Sequence, residues 1–309
     1  MRILFMGTPD FAAVSLEALA NSGHEICGVF SQPDKPVGRH FTLTPTPVKV
    51  TALKYGYPVF QPETLKDKAA LPILEELKPE LIVVAAYGRK LPNYILDYPK
   101  YGCINVHASL LPKYRGAAPI NFCLINGEKE TGVTIMYMAE GIDTGDMIDK
   151  VSTPITDEDN AESIHDRLAT LGGELLIKVI KQLQEGTAIR TPQNHEEHTY
   201  APMIHKEDCK INFKEKSARE VFNFVRGLSP FPTAYMMING KSYKIYSCKE
   251  VSASGEAGKV LCADPKKGFI IACKEGAVEI LELLPQGKKR MDAKSFLLGR
   301  TVEEGVYTE

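Results

Sequence analysis

Through the first 185 residues, short apolar runs alternate with longer segments whose apolar positions recur at helical spacing. This alternation predicts strands and helices in turn. Residues 3–6 read as a strand. Phe11, Val14, Leu16, Ala18 and Leu19 then mark an amphipathic helix over 11–21, and residues 26–30 form the next strand. Thr46-Pro47 is a helix start, with Thr46 as N-cap and proline at the first helical position. That helix runs through Tyr55, and a short strand follows at 59–60. A helix is expected over 67–77 and a strand buried on both faces over 81–85. A strand at 103–105, a helix near 120–124 and a strand at 133–137 continue the series. A long helix over 161–184 carries one weak point, Gly172-Gly173. The expected fold is α/β with a doubly wound, mostly parallel sheet.

The pattern breaks at 186–205, which holds Gly186, Pro192 and Pro202 and reads as a linker. Beyond it come a helix over 218–226 and short strands at 234–238, 243–248, 258–263, 268–273 and 278–284. A last helix spans 292–298. Five strands suggest a small OB-like β-barrel, an architecture often used for nucleic acid. The expected domains are therefore 1–185, a linker at 186–205, and 206–309.

Composition adds little to this picture. The chain has 309 residues, enough for two cores, and a net charge of −2. Charge is uneven, however: residues 206–309 carry 18 Lys and Arg against 14 Asp and Glu. A mildly basic C-terminal part permits a polyanionic partner. Seven scattered cysteines with no C-x-x-C pair support neither a zinc site nor a disulfide framework, and a reducing cytoplasm is the expected setting. No apolar run reaches the roughly 18 residues needed to span a membrane.

The candidate chemistry sits at a strand end. Asn105-Val106-His107 places an amide and an imidazole on one side of a strand, at the carboxyl end where open α/β sheets bind ligands. The turn Gly141-Ile142-Asp143-Thr144-Gly145-Asp146 can bring a carboxylate to the imidazole. Asn, His and Asp suit an acyl-transfer or hydrolytic site: an oxyanion donor, a general acid/base, and a group that orients and charges the imidazole. Gly7-Thr8-Pro9-Asp10 lacks the glycines of a dinucleotide fingerprint, so no NAD is expected. His195-Glu196-Glu197-His198 has poor spacing for a metal and reads as solvated chain; no metal is expected.

Asn105, His107 and the run Ser109-Leu110-Leu111-Pro112-Lys113-Tyr114-Arg115-Gly116 resemble the signature of the folate-dependent formyltransferases. Asp143 sits where that family keeps its Asp. Met6-Gly7-Thr8-Pro9-Asp10-Phe11, Ser31-Gln32-Pro33-Asp34-Lys35-Pro36 and Arg226-Gly227-Leu228-Ser229-Pro230-Phe231-Pro232-Thr233-Ala234 also match, so the resemblance covers essentially the whole chain. It implies a Rossmann-like catalytic domain that moves a formyl group from 10-formyltetrahydrofolate to the amino group of initiator methionyl-tRNA. Direct amine attack through a tetrahedral intermediate is implied, with Asn105, His107 and Asp143 as catalytic residues. It places the folate against Ala86, Tyr87, Gly88 and Leu91, Ser109 to Pro112 (Ser109, Leu110, Leu111, Pro112), and Ala139, Glu140 and Gly141. It places the tRNA acceptor end against Arg39 in the 32–45 loop. An amino-sugar nucleotide N-formyltransferase is the nearest alternative. A non-catalytic RNA-binding protein, using Tyr243, Tyr246 and Phe269 on barrel strands, is an alternative of a different class.

Overall fold

The structure, a computed structural model, describes residues 1–38, 41–299 and 302–309. In chain order the first elements are β1 (Arg2–Gly7), α1 (Asp10–Ala20), β2 (Glu25–Phe30), β3 (Lys35–Val37), β4 (Thr42–Thr44), α2 (Pro47–Lys54) and β5 (Val59–Phe60). Then come α3 (Leu71–Leu77), β6 (Leu81–Ala85), α4 (Asn93–Leu96), β7 (Cys103–His107), β8 (Arg115–Gly116), α5 (Pro119–Ile125), β9 (Glu130–Tyr137), β10 (Met147–Pro154), α6 (Ala161–Glu185) and β11 (Tyr200–Ala201). The C-terminal part holds α7 (Ala218–Leu228), β12 (Ala234–Ile238), β13 (Lys241–Val251), β14 (Val260–Asp264), β15 (Gly268–Ala272), β16 (Ala277–Pro285), β17 (Met291–Asp292) and α8 (Ala293–Leu298).

These elements form two compact units. One comprises Met1–Gly116, Thr131–Thr153 and His165–Tyr200; the other comprises Ala117–Glu130, Pro154–Ile164 and Ala201–Glu309. The division is interleaved, unlike the contiguous one expected from composition. Segment 117–130 groups with the second unit because α5 packs on α7, where Asn121 Nδ2 donates to the Gly227 carbonyl at 2.7 Å. Most of the 186–205 stretch groups with the first unit.

The first unit is built on a seven-stranded sheet of order β10-β9-β7-β6-β1-β2-β5. Pairs β1/β2, β2/β5, β1/β6 and β6/β7 are parallel, while β9 runs antiparallel to β7. The chain winds outward from β1 through β2 to β5, then returns to β6 and β7 on the other side. The winding therefore reverses beside β1, and its strand ends converge there. Ile3 to Met6, Leu81 to Ala85 and the whole of β7 are buried, as strands covered on both faces must be. Helix α2 starts as its sequence requires: Thr46 Oγ1 accepts from the Lys49 N–H, and proline occupies the first turn. Helix α6 runs unbroken through Gly172 and Gly173. A Cβ on Gly172 would press on Val106 and Val133, and one on Gly173 on Ala18, so both glycines allow close packing there.

Three local expectations are corrected. The 67–77 helix shrinks to α3, since Asp67 and Lys68 adopt positive φ and Pro72 lies in the helix's first turn. The 32–45 loop contains a small hairpin, β3/β4. Strand β10 has no counterpart in the sequence pattern; from Asp149 on it alternates half-buried and exposed residues at the sheet edge.

The second unit is an antiparallel sheet of order β12-β13-β16-β15-β14, with β17 on β16. The last residues join its two edges. Thr308 pairs with Ile238 on β12, and Tyr307 with Lys259 just before β14. These single bridges link the two edge regions of the sheet. The interior holds Phe213, Phe269, Phe296 and aliphatic residues from every strand of the main order. Helix α7 opens with a capping box, Ser217 with Glu220.

Gly132 in β9 offers a packing test. A Cβ there would collide with the Val151 carbonyl oxygen of β10 and lie 3.0 Å from the Ser152 Cα, both backbone atoms that cannot rotate away. Gly132→Ala is expected to destabilise by about 3 kcal/mol, the upper end of ordinary overpacking. A thermal melt checks this; an unchanged Tm would mean that β10 gives way freely.

Candidate active site

Strand β7, beside β6, carries Asn105 and His107 at its carboxyl end. Its register puts Asn105 between Val84 of β6 and Met136 of β9, and His107 beside Thr134. Both side chains lie on one face of the strand and are buried, at 8% and 6% exposure. His107 Nε2 lies 2.9 Å from the Tyr114 carbonyl, and Nδ1 lies 3.6 Å from Asp143 Oδ2. A carbonyl only accepts, so Nε2 carries a hydrogen. The Asp143 carboxylate faces Nδ1 at ion-pair distance, longer than a hydrogen bond.

Asp143 is held by its surroundings. Its Oδ2 also accepts from the Gly116 N–H at 2.8 Å, and its backbone has φ of 51°, a left-handed conformation that Asp adopts more readily than most residues. Ala86 and Tyr114, in the turns after β6 and β7, also have positive φ, 42° and 59°. Such conformations persist where surrounding contacts enforce them. The Asn105 side-chain amide has no hydrogen-bond partner among the described residues. It is the donor that remains free beside the His107–Asp143 pair.

The strand ends after β1, β2 and β6 are tied together at one atom, the Tyr87 carbonyl. Thr8 Oγ1 and Gln32 Nε2 each donate to it at 3.1 Å. Nearby, Ser31 and Thr46 hydroxyls are hydrogen-bonded at 2.6 Å. Lys49 Nζ lies 2.6 Å from Asp34 Oδ2 and 2.8 Å from Gln61 Oε1, and the ammonium holds the Asp34 carboxyl below the usual carboxylate range. The motifs around Gly7 and Ser31 thus shape the rim through hydrogen bonds.

Residues 1–180 match the family described as formyl transferase, and residues 203–301 match its C-terminal domain. The chain belongs to the formyl transferase family. It is 50% identical over 298 residues to the methionyl-tRNA formyltransferase of Macrococcus caseolyticus, covering 96% of this chain and 95% of that protein. It is 48% identical over 307 residues to the methionyl-tRNA formyltransferase of Caldanaerobacter subterraneus subsp. tengcongensis, covering 99% of each. Among solved structures, an N-formyltransferase from Helicobacter canadensis, in complex with folinic acid and dTDP-3-aminofucose, has a TM-score of 0.68 at 24% identity. That match covers 91% of this chain and 99% of that one. HypX from Aquifex aeolicus in complex with tetrahydrofolic acid has a TM-score of 0.64 at 18% identity, covering 99% of this chain and 51% of that one. These two show a shared fold.

In this formyl transferase the residues expected to line a folate divide into two groups. Ala86, Gly88, Ala139, Glu140 and Gly141 are exposed on the turns after β6 and β9. Tyr87 and Leu91 are buried in the core beneath the turn. Burial pushes the Tyr87 phenol up to about 12, and its Oη has no partner among the described residues. In the run after β7, Ser109 Oγ donates to the Lys113 carbonyl, and Thr134 Oγ1 donates to the Ser109 carbonyl while accepting from the Leu111 N–H. Leu111 is buried, and Leu110 and Pro112 are half-buried. Arg39 lies outside the described residues.

Sequence reasoning missed Gln193. Nothing periodic surrounds it within the 186–205 linker, yet it is buried and reaches Asp143, 50 residues away. The neighbouring His195-Glu196-Glu197-His198 run forms a short helical turn, and His195 Nδ1 lies 3.0 Å from Arg115 Nη2. The RNA-binding alternative loses two of its three aromatics. Tyr243 and Phe269 are buried in the barrel core against Phe296, and Tyr246 is covered by the Arg290 guanidinium at 4.1 Å.

Proposed function

We propose that this formyl transferase moves the formyl group of 10-formyltetrahydrofolate to the α-amino group of initiator methionyl-tRNA in the cytoplasm. The observation that carries the reading is the free Asn105 amide on the same strand face as His107, whose ring faces Asp143, at the carboxyl end of β7. Its likeness to proteins named methionyl-tRNA formyltransferase, near half identity over nearly full length, supports the choice of acceptor.

In this reading the amine attacks the formyl carbon and the oxygen becomes an oxyanion. Asn105 donates to that oxygen. His107, flanked by two acceptors, supplies positive charge and a proton store beside it, and Asp143 holds the ring and takes part in moving the amine's proton. The nucleophile is the substrate's own amine, so no covalent enzyme intermediate is required. A folate ring needs flat walls and backbone donors and acceptors. We assign these to the exposed turns at 86–88 and 139–141 and to the ordered 109–112 run, with Tyr87 and Leu91 supporting the first turn from beneath. The barrel in 206–309 and Arg39 are assigned to the tRNA, through charge on phosphates.

The deciding experiment offers the protein 10-formyltetrahydrofolate with either charged initiator tRNA or a dTDP-amino sugar. Formylation of the tRNA alone is expected; sugar formylation alone would move the protein to the alternative function. The same tRNA tests Arg39. Each phosphate contact steepens the fall of log K by about 0.7 to 0.9 per decade of salt. Arg39→Ala is expected to flatten the slope by roughly one contact with folate affinity unchanged. An unaltered slope would remove Arg39 from the interface.

A further inference from the structure

We propose that Gln193 is a positioning residue that clamps the Asp143 loop and, through Asp143, sets the orientation of His107. The proposal rests on the reading of His107 and Asp143 as catalytic.

The loop between β9 and β10 is closed at its base, where the Tyr137 N–H donates to the Asp146 carbonyl at 2.8 Å, while its tip faces outward. Glu140, Gly141 and Ile142 are exposed, Ile142 at 66%, and Asp143 is left-handed. A buried amide meets it just beyond. Gln193 Nε2 donates to the Asp143 carbonyl at 2.9 Å and to the Gly145 carbonyl at 2.7 Å, so one NH₂ group binds the carbonyls on both sides of Thr144. Its Oε1 accepts from Arg115 Nε at 3.1 Å and from Nη2 at 2.7 Å. The orientation of the amide is forced. Arg115 has only donors and the two carbonyls only accept, so the reverse orientation would lose all four bonds.

Arg115 directly precedes Gly116, whose N–H binds the Asp143 carboxylate. Gln193 therefore grips two things at once: the backbone that carries Asp143, and the segment that supplies a partner to the Asp143 side chain. Arg115 itself is 2% exposed, and its hydrogen-bond partners Gln193 and His195 are neutral or titratable groups rather than carboxylates. A guanidinium buried on a glutamine oxygen suits a part that must hold geometry without adding a negative charge near Asp143. A buried amide with both its oxygen and its NH₂ group paired fixes one arrangement of the groups it touches.

Gln193→Glu separates clamping from simple packing. The carboxylate keeps the size of the side chain and still accepts from Arg115, but it cannot donate to the two carbonyls. In a formylation assay with charged tRNA, kcat is expected to fall about 10- to 100-fold, the range typical of lost supporting contacts. KM for tRNA and folate is expected to change by less than about threefold, since no substrate contact is removed. On an Asp143→Ala background the same substitution is expected to add less than about a twofold loss, because its effect passes through Asp143. Gln193→Met, apolar and of similar length, is expected to behave as Gln193→Glu does. His195→Ala, whose side chain hydrogen-bonds only Arg115 among the described residues, is expected to retain most activity.

Near-normal kcat in Gln193→Glu would overturn the clamp, as would a full additional loss on the Asp143→Ala background. If neither Gln193→Glu nor Gln193→Met folds, as judged by circular dichroism, Gln193 is a stability residue and the clamp is again rejected. Failure of the underlying site reading looks different: Asp143→Ala would then retain normal turnover by itself.

Discussion

Asn105→Asp is expected to lower kcat for formyl transfer about a thousand-fold while leaving the thermal melt within a degree or two of the parent. The replacement is nearly isosteric, and the β7 backbone that pairs with Val84 and Met136 is untouched. What changes is the sign of the group. An amide that donates becomes a carboxylate that accepts, at the place where negative charge grows in the transition state. Loss of one preorganised oxyanion donor alone gives about a hundred- to a thousand-fold, or roughly 3 to 4 kcal/mol. Asn105→Ala is expected to show that loss without the added repulsion. Steady-state kinetics with both substrates varied should put the effect in kcat, since a transition-state contact is removed. A shift confined to KM for folate would make Asn105 a binding residue and leave the oxyanion without the donor assigned to it.

Much of this site can be read along the chain because it depends on local rules. Alternation along β7 puts Asn105 and His107 on one face, Thr46-Pro47 starts α2, and the unbroken apolar run at 81–85 announces a strand covered on both sides. What escaped depends on partners far away in sequence. The 67–77 periodicity suits a helix, but local backbone at Asp67 and Lys68 overrides it. Tyr243 and Phe269 sit on strands, and the barrel that turns them inward has its edge regions linked by Tyr307 and Thr308. Gln193 belongs to a stretch rich in turn residues, and nothing near it reports two carbonyls some fifty residues upstream. The composition of that stretch reads as a linker, whereas it holds a short helical turn at 195–197 and strand β11. It does not reveal that an irregular segment can be buried when its polar groups find partners.

His107→Ala and Asp143→Asn are expected to cost similar amounts, each lowering kcat by roughly two to three orders of magnitude, because the two residues act as one unit. His107 is engaged at both nitrogens, by the Tyr114 carbonyl and by Asp143, so its geometry is fixed before substrate arrives. Alanine removes the charge and the proton store together. Asparagine at 143 is the subtler change. Its oxygen can still accept from the Gly116 N–H, which keeps the loop in place. It removes the negative charge that faces Nδ1. If the ring must be charged to work, the double variant His107→Ala/Asp143→Asn should be scarcely worse than His107→Ala alone. If the losses multiply instead, Asp143 has a task separate from the imidazole, and direct handling of the amine's proton is the role its position then supports. Comparing the three variants at one pH, with folate affinity measured by fluorescence titration, distinguishes these outcomes. A folded His107→Ala variant that turns over near the parent rate would remove the imidazole from the mechanism and leave Asn105 as the residue on which the transfer depends.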